Sequence, residues 1–277
     1  MPDLLVRTPI WLLGLMLFLA TFAAAMVGSL LARQDRLPDR WGQLSEAQIG
    51  YVLSAVYALL GLLVGFTFSV AVERYHHRRE LMVQDANAIE QLYLRAQLLD
   101  EPHRSRFSDL MVRYAENHIA LAQVDRRDAD ATKLVAEDNA LLRDLWTATV
   151  PAFQSIRGID FSSSFVDSVN QVIWTDAERK ASREAQIPRT VIWMLFFYSI
   201  VAALLLGGVM KSRKGEIVSV ALLGLSTLAL MLVTDINRPV GGTIREPQGP
   251  MIRMLARLKA NPPAVYQRLA AKPGQPA

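Results

Sequence analysis

The sequence predicts an all-α fold: four transmembrane helices in two hairpins, with a helical-bundle cytoplasmic domain between them. Four apolar stretches carry the first part of that reading. They run over Ile10–Ala32, Ile49–Val72, Thr190–Val209 and Ile217–Val233, each close to the ~20 residues that cross a bilayer. None contains Asp, Glu, Lys, Arg or His. A polar segment with helical periodicity between the pairs carries the second part. The third observation is negative: no apolar-polar alternation of strand type runs beyond a few residues.

The elements follow in order. The first hairpin fills residues 1–72 and the helical bundle 73–188. The second hairpin fills 189–234, and residues 235–277 form a cytoplasmic turn, a basic helix and a frayed tail. Arg7 and the small residues Ala23, Ala24 and Ala25 resemble a secretion signal, but the apolar run continues through Leu31. That exceeds the ~7–15 residues of a signal core, so a retained first span is expected. No proline falls between Pro38 and Pro102. The second span is therefore free to leave the membrane as one rod reaching about Leu99. In the middle segment Met82, Ala86, Ile89, Tyr93 and Ala96 recur at helical steps. So do Phe107, Met111, Tyr114, His118 and Leu121; then Leu134, Leu141, Leu145 and Trp146; then Phe165, Val169, Ile173, Ala177 and Ala181. Each stripe needs a partner to bury against, which predicts a bundle.

The chain is 52% hydrophobic and carries a formal charge of +4. In a membrane protein such an excess of Lys and Arg reports topology and lipid contact, so nucleic acid is not an expected partner. On the side holding the termini and the bundle lie Arg7, Arg74, Arg78, Arg79, Arg179, Lys180, Arg183, Arg189, Arg238, Arg245 and Arg253. On the other side lie Arg33, Arg36, Arg40, Lys211, Arg213 and Lys214. Eleven against six favours cytoplasmic termini and a cytoplasmic bundle in a multi-pass protein of the cell membrane. The short Lys211–Lys214 turn works against that orientation.

Candidate chemistry is sparse. There are no cysteines, hence no disulfide and no thiolate site. Phosphate-cradling glycine loops are absent, and His103 and His118 have no catalytic company. His118 reads as a core histidine with one satisfied nitrogen. Glu73 and His77 stand one turn apart but lack metal-site spacing. No enzyme activity, metal or cofactor is expected. Ser54, Ala58, Gly61 and Gly65 share one face of the second span. The ordinary reading is tight packing within the chain; the sharper one is an oligomer axis lining a conduit. Phe66 and Phe68 are candidates for a hydrophobic constriction, although lipid contact suits at least one of them. Arg74, Arg78 and Arg79 form a basic collar where that span ends, either a headgroup anchor or an attractor of anions. After the fourth span, Asp235, Arg238, Pro239 and Gly242 have the chemistry of a sharp turn. Arg238 and Asp235 are expected to hold that turn against the middle bundle, with Asp85 as a candidate partner of Arg238.

Two segments carry a resemblance. One is Asp85-Ala86-Asn87-Ala88-Ile89 with Leu92-Tyr93-Leu94-Arg95-Ala96, Leu98-Leu99, Glu101-Pro102 and Arg104. The other is Asp235-Ile236-Asn237-Arg238-Pro239 with Gly242, Ile244 and Pro247. With these the chain resembles a bacterial family described as bestrophin-like. It departs mildly at Asp85, Asn237 and Val240, where Glu, Asp and Phe are more usual. The resemblance implies four membrane helices, a cytoplasmic helical domain and homo-oligomerisation in a bacterial inner membrane. Bestrophins are pentameric anion channels lined by the second membrane helix, so anions become expected partners beside the lipid bilayer and further copies of the chain. The apolar neck pattern of bestrophins, near a proline on that helix, is not visible here. Two functions stay open: an anion-permeable channel, or a non-conducting scaffold or sensor whose bundle binds a protein or small ligand.

Overall fold

Long proline-free apolar runs and heptad-like stripes leave helix as the available backbone state, and the structure, a computed structural model, is helical throughout its ordered elements. It describes residues 8–33, 46–124, 129–209, 213–238, 243–244 and 246–270. Among them the helices are α1 (Ile10–Arg33), α2 (Glu46–Ala96), α3 (His103–Gln123), α4 (Ala129–Ile156), α5 (Phe161–Glu184), α6 (Arg189–Val209), α7 (Arg213–Asn237), α8 (Gly249–Ala260) and α9 (Pro263–Ala270). No strand occurs among the described residues. Among the described residues four stretches hold an apolar window long enough to cross a membrane; they run over Ile10–Ala32, Ala47–Ala96, Phe161–Gly208 and Gly215–Asn237. The rod expected from the missing prolines is the single 51-residue helix α2. Proline does not divide the chain everywhere, because α4 continues through Pro151. That residue is exposed in the last two turns, where one lost N–H leaves a carbonyl close to solvent.

The chain forms two compact units, Met1–Tyr75 with Ala185–Arg245 and His76–Glu184 with Glu246–Ala277. In the first, α1 packs on α6 and α7 through Leu13, Leu17, Ile192, Leu195, Leu230 and Val233. A second cluster joins Ala25, Ala203, Leu206 and Leu223. Close helix approach occurs here between α1 and α6. A Cβ on Gly28 would come 2.0 Å from the Leu204 carbonyl oxygen, and one on Gly207 would come 1.8 Å from that of Ala25. Only glycine permits that spacing. Trp11, Phe197, Ile217 and Leu225 remain exposed on the outside of this unit.

In the second unit the end of α2 packs with α3, α4, α5 and α8 around Ile89, Leu92, Tyr93, Phe107, Tyr114 and Phe165. Phe107 and Phe165 meet edge to face at 5.0 Å. Tyr93 donates to the Asn261 carbonyl at 2.8 Å, and Arg257 clamps Glu90 with bonds of 2.7 and 2.5 Å. The stripes on α2 and α3 are buried as expected except for the half-buried Leu121. On α4, Trp146 is exposed. The stripe on α5 is corrected: Ala177 and Ala181 are exposed, whereas Val172, Thr175, Asp176 and Arg179 are buried. Ion pairing holds charged side chains on the inner face, so the apolar residues at this end do not mark it.

Candidate functional site

The first half of α2 presents two contrasting faces. Leu60 and Ala71 are buried, and Leu53, Tyr57 and Val64 pack partly against the unit's cores. Tyr198 fixes this face by donating to the Val56 carbonyl at 3.1 Å. Ser54, Ala58, Gly61 and Gly65 lie on another side and are exposed. A Cβ built on Gly61 or Gly65 meets nothing within 4 Å. Close packing within the chain, the ordinary reading of this face, is therefore not what these glycines serve. Gly61 also borders a cleft of about 270 Å³ lined by Tyr57, Leu60 and Val64 of α2 and by Leu222, Leu225 and Ala229 of α7. Phe66 and Phe68 are both exposed. Two residues apart, they point about 200° from each other, and Phe68 is the one beside the small face.

The three expected collar residues part company. Arg74 is half-buried and Arg79 exposed. Arg78 is buried: its Nε lies 3.1 Å from Glu246 Oε1, and Arg183 Nη2 donates to Glu246 Oε2 at 3.1 Å. The reason is register, because Arg78 stands four residues before Met82 on the same helix face.

After α7, Asp235 organises the chain. Its carboxylate accepts from the Thr243 N–H at 2.9 Å, from the Thr243 hydroxyl, and from the Ile244 N–H at 3.3 Å. Arg238 donates through Nη1 to the Thr8 carbonyl at 2.9 Å. Asn237 accepts from the Ile187 N–H at 2.9 Å. Pro239 and Gly242 lie outside the described residues. Asp85, expected beside Arg238, is instead committed to His118 and Arg179 in the second unit.

That commitment belongs to a buried charged cluster. His118 Nδ1 is 3.1 Å from Asp85 Oδ2, and Nε2 is 2.9 Å from Asp138 Oδ1 and 3.7 Å from Asp176 Oδ1. Arg179 Nη2 lies 2.9 Å from His118 Nε2 and donates to Asp176 Oδ1 at 3.1 Å; its Nε is 3.4 Å from Asp85 Oδ2. Lys180 Nζ bridges Asp138 Oδ2 and Asp176 Oδ2, each at 2.7 Å. The Tyr114 ring lies 4.1 Å from that of His118. Four helices supply these groups: α2 Asp85, α3 Tyr114 and His118, α4 Asp138, and α5 Asp176, Arg179 and Lys180.

Electrostatics follows from the crowding. Burial raises the Asp138 carboxyl, but hydrogen bonds and charge from His118 and Lys180 outweigh it and hold Asp138 below the usual carboxylate range. Burial lowers Lys180, and Asp138 and Asp176 more than restore it. Burial likewise lowers Arg179, yet Asp85 and its neighbours bring it out raised. Burial first, then the carboxylates, push Tyr114 well up. His118, Asp138 and Asp176 bring ligating atoms within 4.8 Å of one another. Arg179 Nη2 sits against two of those three atoms, and Lys180 holds the far oxygens of both carboxylates. The side-chain cations thus fill the place of an ion. The cluster corrects the reading of His118 as a histidine with one satisfied nitrogen, since both nitrogens face carboxylates. A signal was present in the sequence: Asp138 falls between Leu134 and Leu141 on a predicted stripe, and Asp85 falls between Met82 and Ile89.

Comparison with known proteins places these features in a wider frame. Residues 17–245 match the family profile described as Bestrophin-like domain. A variant of a bacterial bestrophin homologue from Klebsiella pneumoniae superposes with a TM-score of 0.67 at 16% identity, covering 94% of this chain and 99% of that one. Two further variants of a bacterial bestrophin homologue from the same organism, each 15% identical, give TM-scores of 0.61 and 0.62. They cover 89% and 91% of this chain and 97% and 98% of theirs. At such identities the likeness concerns the fold. No curated protein matches.

Proposed function

This chain belongs to the bestrophin-like domain family, and on that footing we propose that it is a homo-oligomeric, anion-permeable channel of a bacterial inner membrane. In this reading α1, the first part of α2, α6 and α7 span the bilayer, and the bundle and both termini are cytoplasmic. The observation that carries it is the exposed small face of α2. Glycine weakens a helix by about 0.5–1 kcal/mol relative to alanine, and Gly61 and Gly65 have no neighbour in the chain that requires it. A use outside the single chain accounts for them: Ser54, Ala58, Gly61 and Gly65 turned toward an oligomer axis, with Phe68 beside them. Arg74 and Arg79 would then raise the local anion concentration at the cytoplasmic mouth.

A specific feature favours the second reading, a non-conducting scaffold whose bundle binds a protein. Trp146 and Val150 are exposed on one side of α4. Planar-bilayer recordings of native protein and of Gly61→Leu separate the two. Anion current that is lost or strongly reduced in Gly61→Leu supports the channel with this lining. Native protein silent at every voltage and pH supports the scaffold. Current that is unchanged in Gly61→Leu puts the conduit elsewhere.

A further inference from the structure

His118 Nε2 has two partners of opposite character at one distance. Arg179 Nη2, a donor, and Asp138 Oδ1, an acceptor, each lie 2.9 Å away. A ring nitrogen either carries a proton and donates or presents a lone pair and accepts. Nδ1 lies 3.1 Å from Asp85 Oδ2, so a proton on it faces a carboxylate in either state of the ring. The site therefore places a carboxylate within reach of the charged imidazole and a guanidinium donor against the neutral one.

We propose that His118 is a proton-operated switch that exchanges interhelical partners inside the bundle. With the ring charged, Nε2–H donates to Asp138 and ties α3 to α4. With the ring neutral, Nε2 accepts from Arg179 and ties α3 to α5. The groups facing the ring are Asp85 from α2, Tyr114 from its own helix, Asp138 from α4, and Asp176, Arg179 and Lys180 from α5. Helix α8 adds apolar Met251, Met254 and Leu258 to the adjoining core. Three carboxylates face Arg179 and Lys180, so the charged ring brings the cluster to neutrality and the neutral ring leaves one negative charge in excess. Low dielectric makes that difference costly and magnifies the effect of one proton. Lys180, 38% exposed, connects the cluster to solvent. The exchange does not depend on conduction, and its test needs no current.

The probe is the full chain in detergent with His76→Gln, His77→Gln and His103→Gln combined, which leaves His118 as the single histidine of four. Imidazole nitrogen NMR then reads the ring from about pH 5 to about pH 8. Both nitrogens are expected to carry protons at the acidic end, and Nδ1 alone at the other. At a fixed pH, Asp138→Asn lowers the ratio of charged to neutral ring about tenfold or more, and Arg179→Met raises it. A ring held in one state across the range overturns the switch. So does a neutral ring protonated on Nε2, or a shift in the same direction from both variants. If either variant fails to fold, the titration in the native cluster decides alone.

Discussion

Gly207 of α6 lies so close to Ala25 of α1 that a Cβ on it would stand 1.8 Å from the Ala25 carbonyl oxygen. The obstacle is backbone, so a side-chain rotamer change does not relieve it; the helices must separate. Gly207→Ala is therefore expected to lower the thermal stability of the purified protein by several degrees, with overpacking costing about 1–3 kcal/mol or more. Gly61→Ala, with open space around it, is expected to leave stability level or slightly raised. Thermal melts in one detergent check both. A Gly207→Ala protein as stable as the native one removes the close-packing argument.

The contrast between these glycines shows what the sequence disclosed. Small residues at helical spacing announce that something approaches closely, but not what. The glycines of the α2 motif have open space around them in this chain, whereas Gly28 and Gly207 are the ones packed against backbone. The long α2 was legible because a gap between prolines is a direct physical permission. The buried cluster was not, because periodicity equates apolar with inside. On α5 that equation selects Ala177 and Ala181 and misses Asp176 and Arg179. Four separate helices supply the cluster, and no local pattern announces which acids will meet which cations.

The depressed Asp138 carboxyl ties stability to pH. A group whose folded value lies below its unfolded one contributes stability above the unfolded value, and loses it as pH falls through the folded one. Asp138→Asn is thus expected to be clearly less stable than native at neutral pH, by about 3–5 kcal/mol for a broken buried pair. The gap should narrow as pH falls below about 4, near the ordinary aspartate value. Denaturant melts at the two pH values make the comparison. A gap that stays constant would place the stabilisation elsewhere.

Asp235 gathers three donors from Thr243 and Ile244, and is itself buried. Asp235→Ala removes the acceptor of two backbone N–H groups, at about 0.5–1.5 kcal/mol for each bond lost, because Thr243 is exposed and Ile244 half-buried. Thr243→Val removes only the hydroxyl. Arg238→Ala removes the bond to the Thr8 carbonyl. The expected order of melting temperatures is native, then Thr243→Val, then Asp235→Ala, with Arg238→Ala also below native. Equal melting of Asp235→Ala and Thr243→Val would mean that the backbone bonds contribute nothing.

Topology is open to a direct chemical test, because the chain has no cysteine. Eleven basic residues flank the apolar spans on the side of the bundle and six on the other, which favours a cytoplasmic bundle. The opposing signal is local: Lys211, Arg213 and Lys214 follow one another closely in the sequence after the third span. Single variants Ser105→Cys and Ser212→Cys place one thiol in the first turn of α3 and one between the third and fourth spans. In intact cells a membrane-impermeant maleimide is expected to label Ser212→Cys and to spare Ser105→Cys until the membrane is opened. Labelling of Ser105→Cys from outside would reverse the orientation and move Arg74 and Arg79 to the external face. The direction in which any current rectifies would then have to be read the other way.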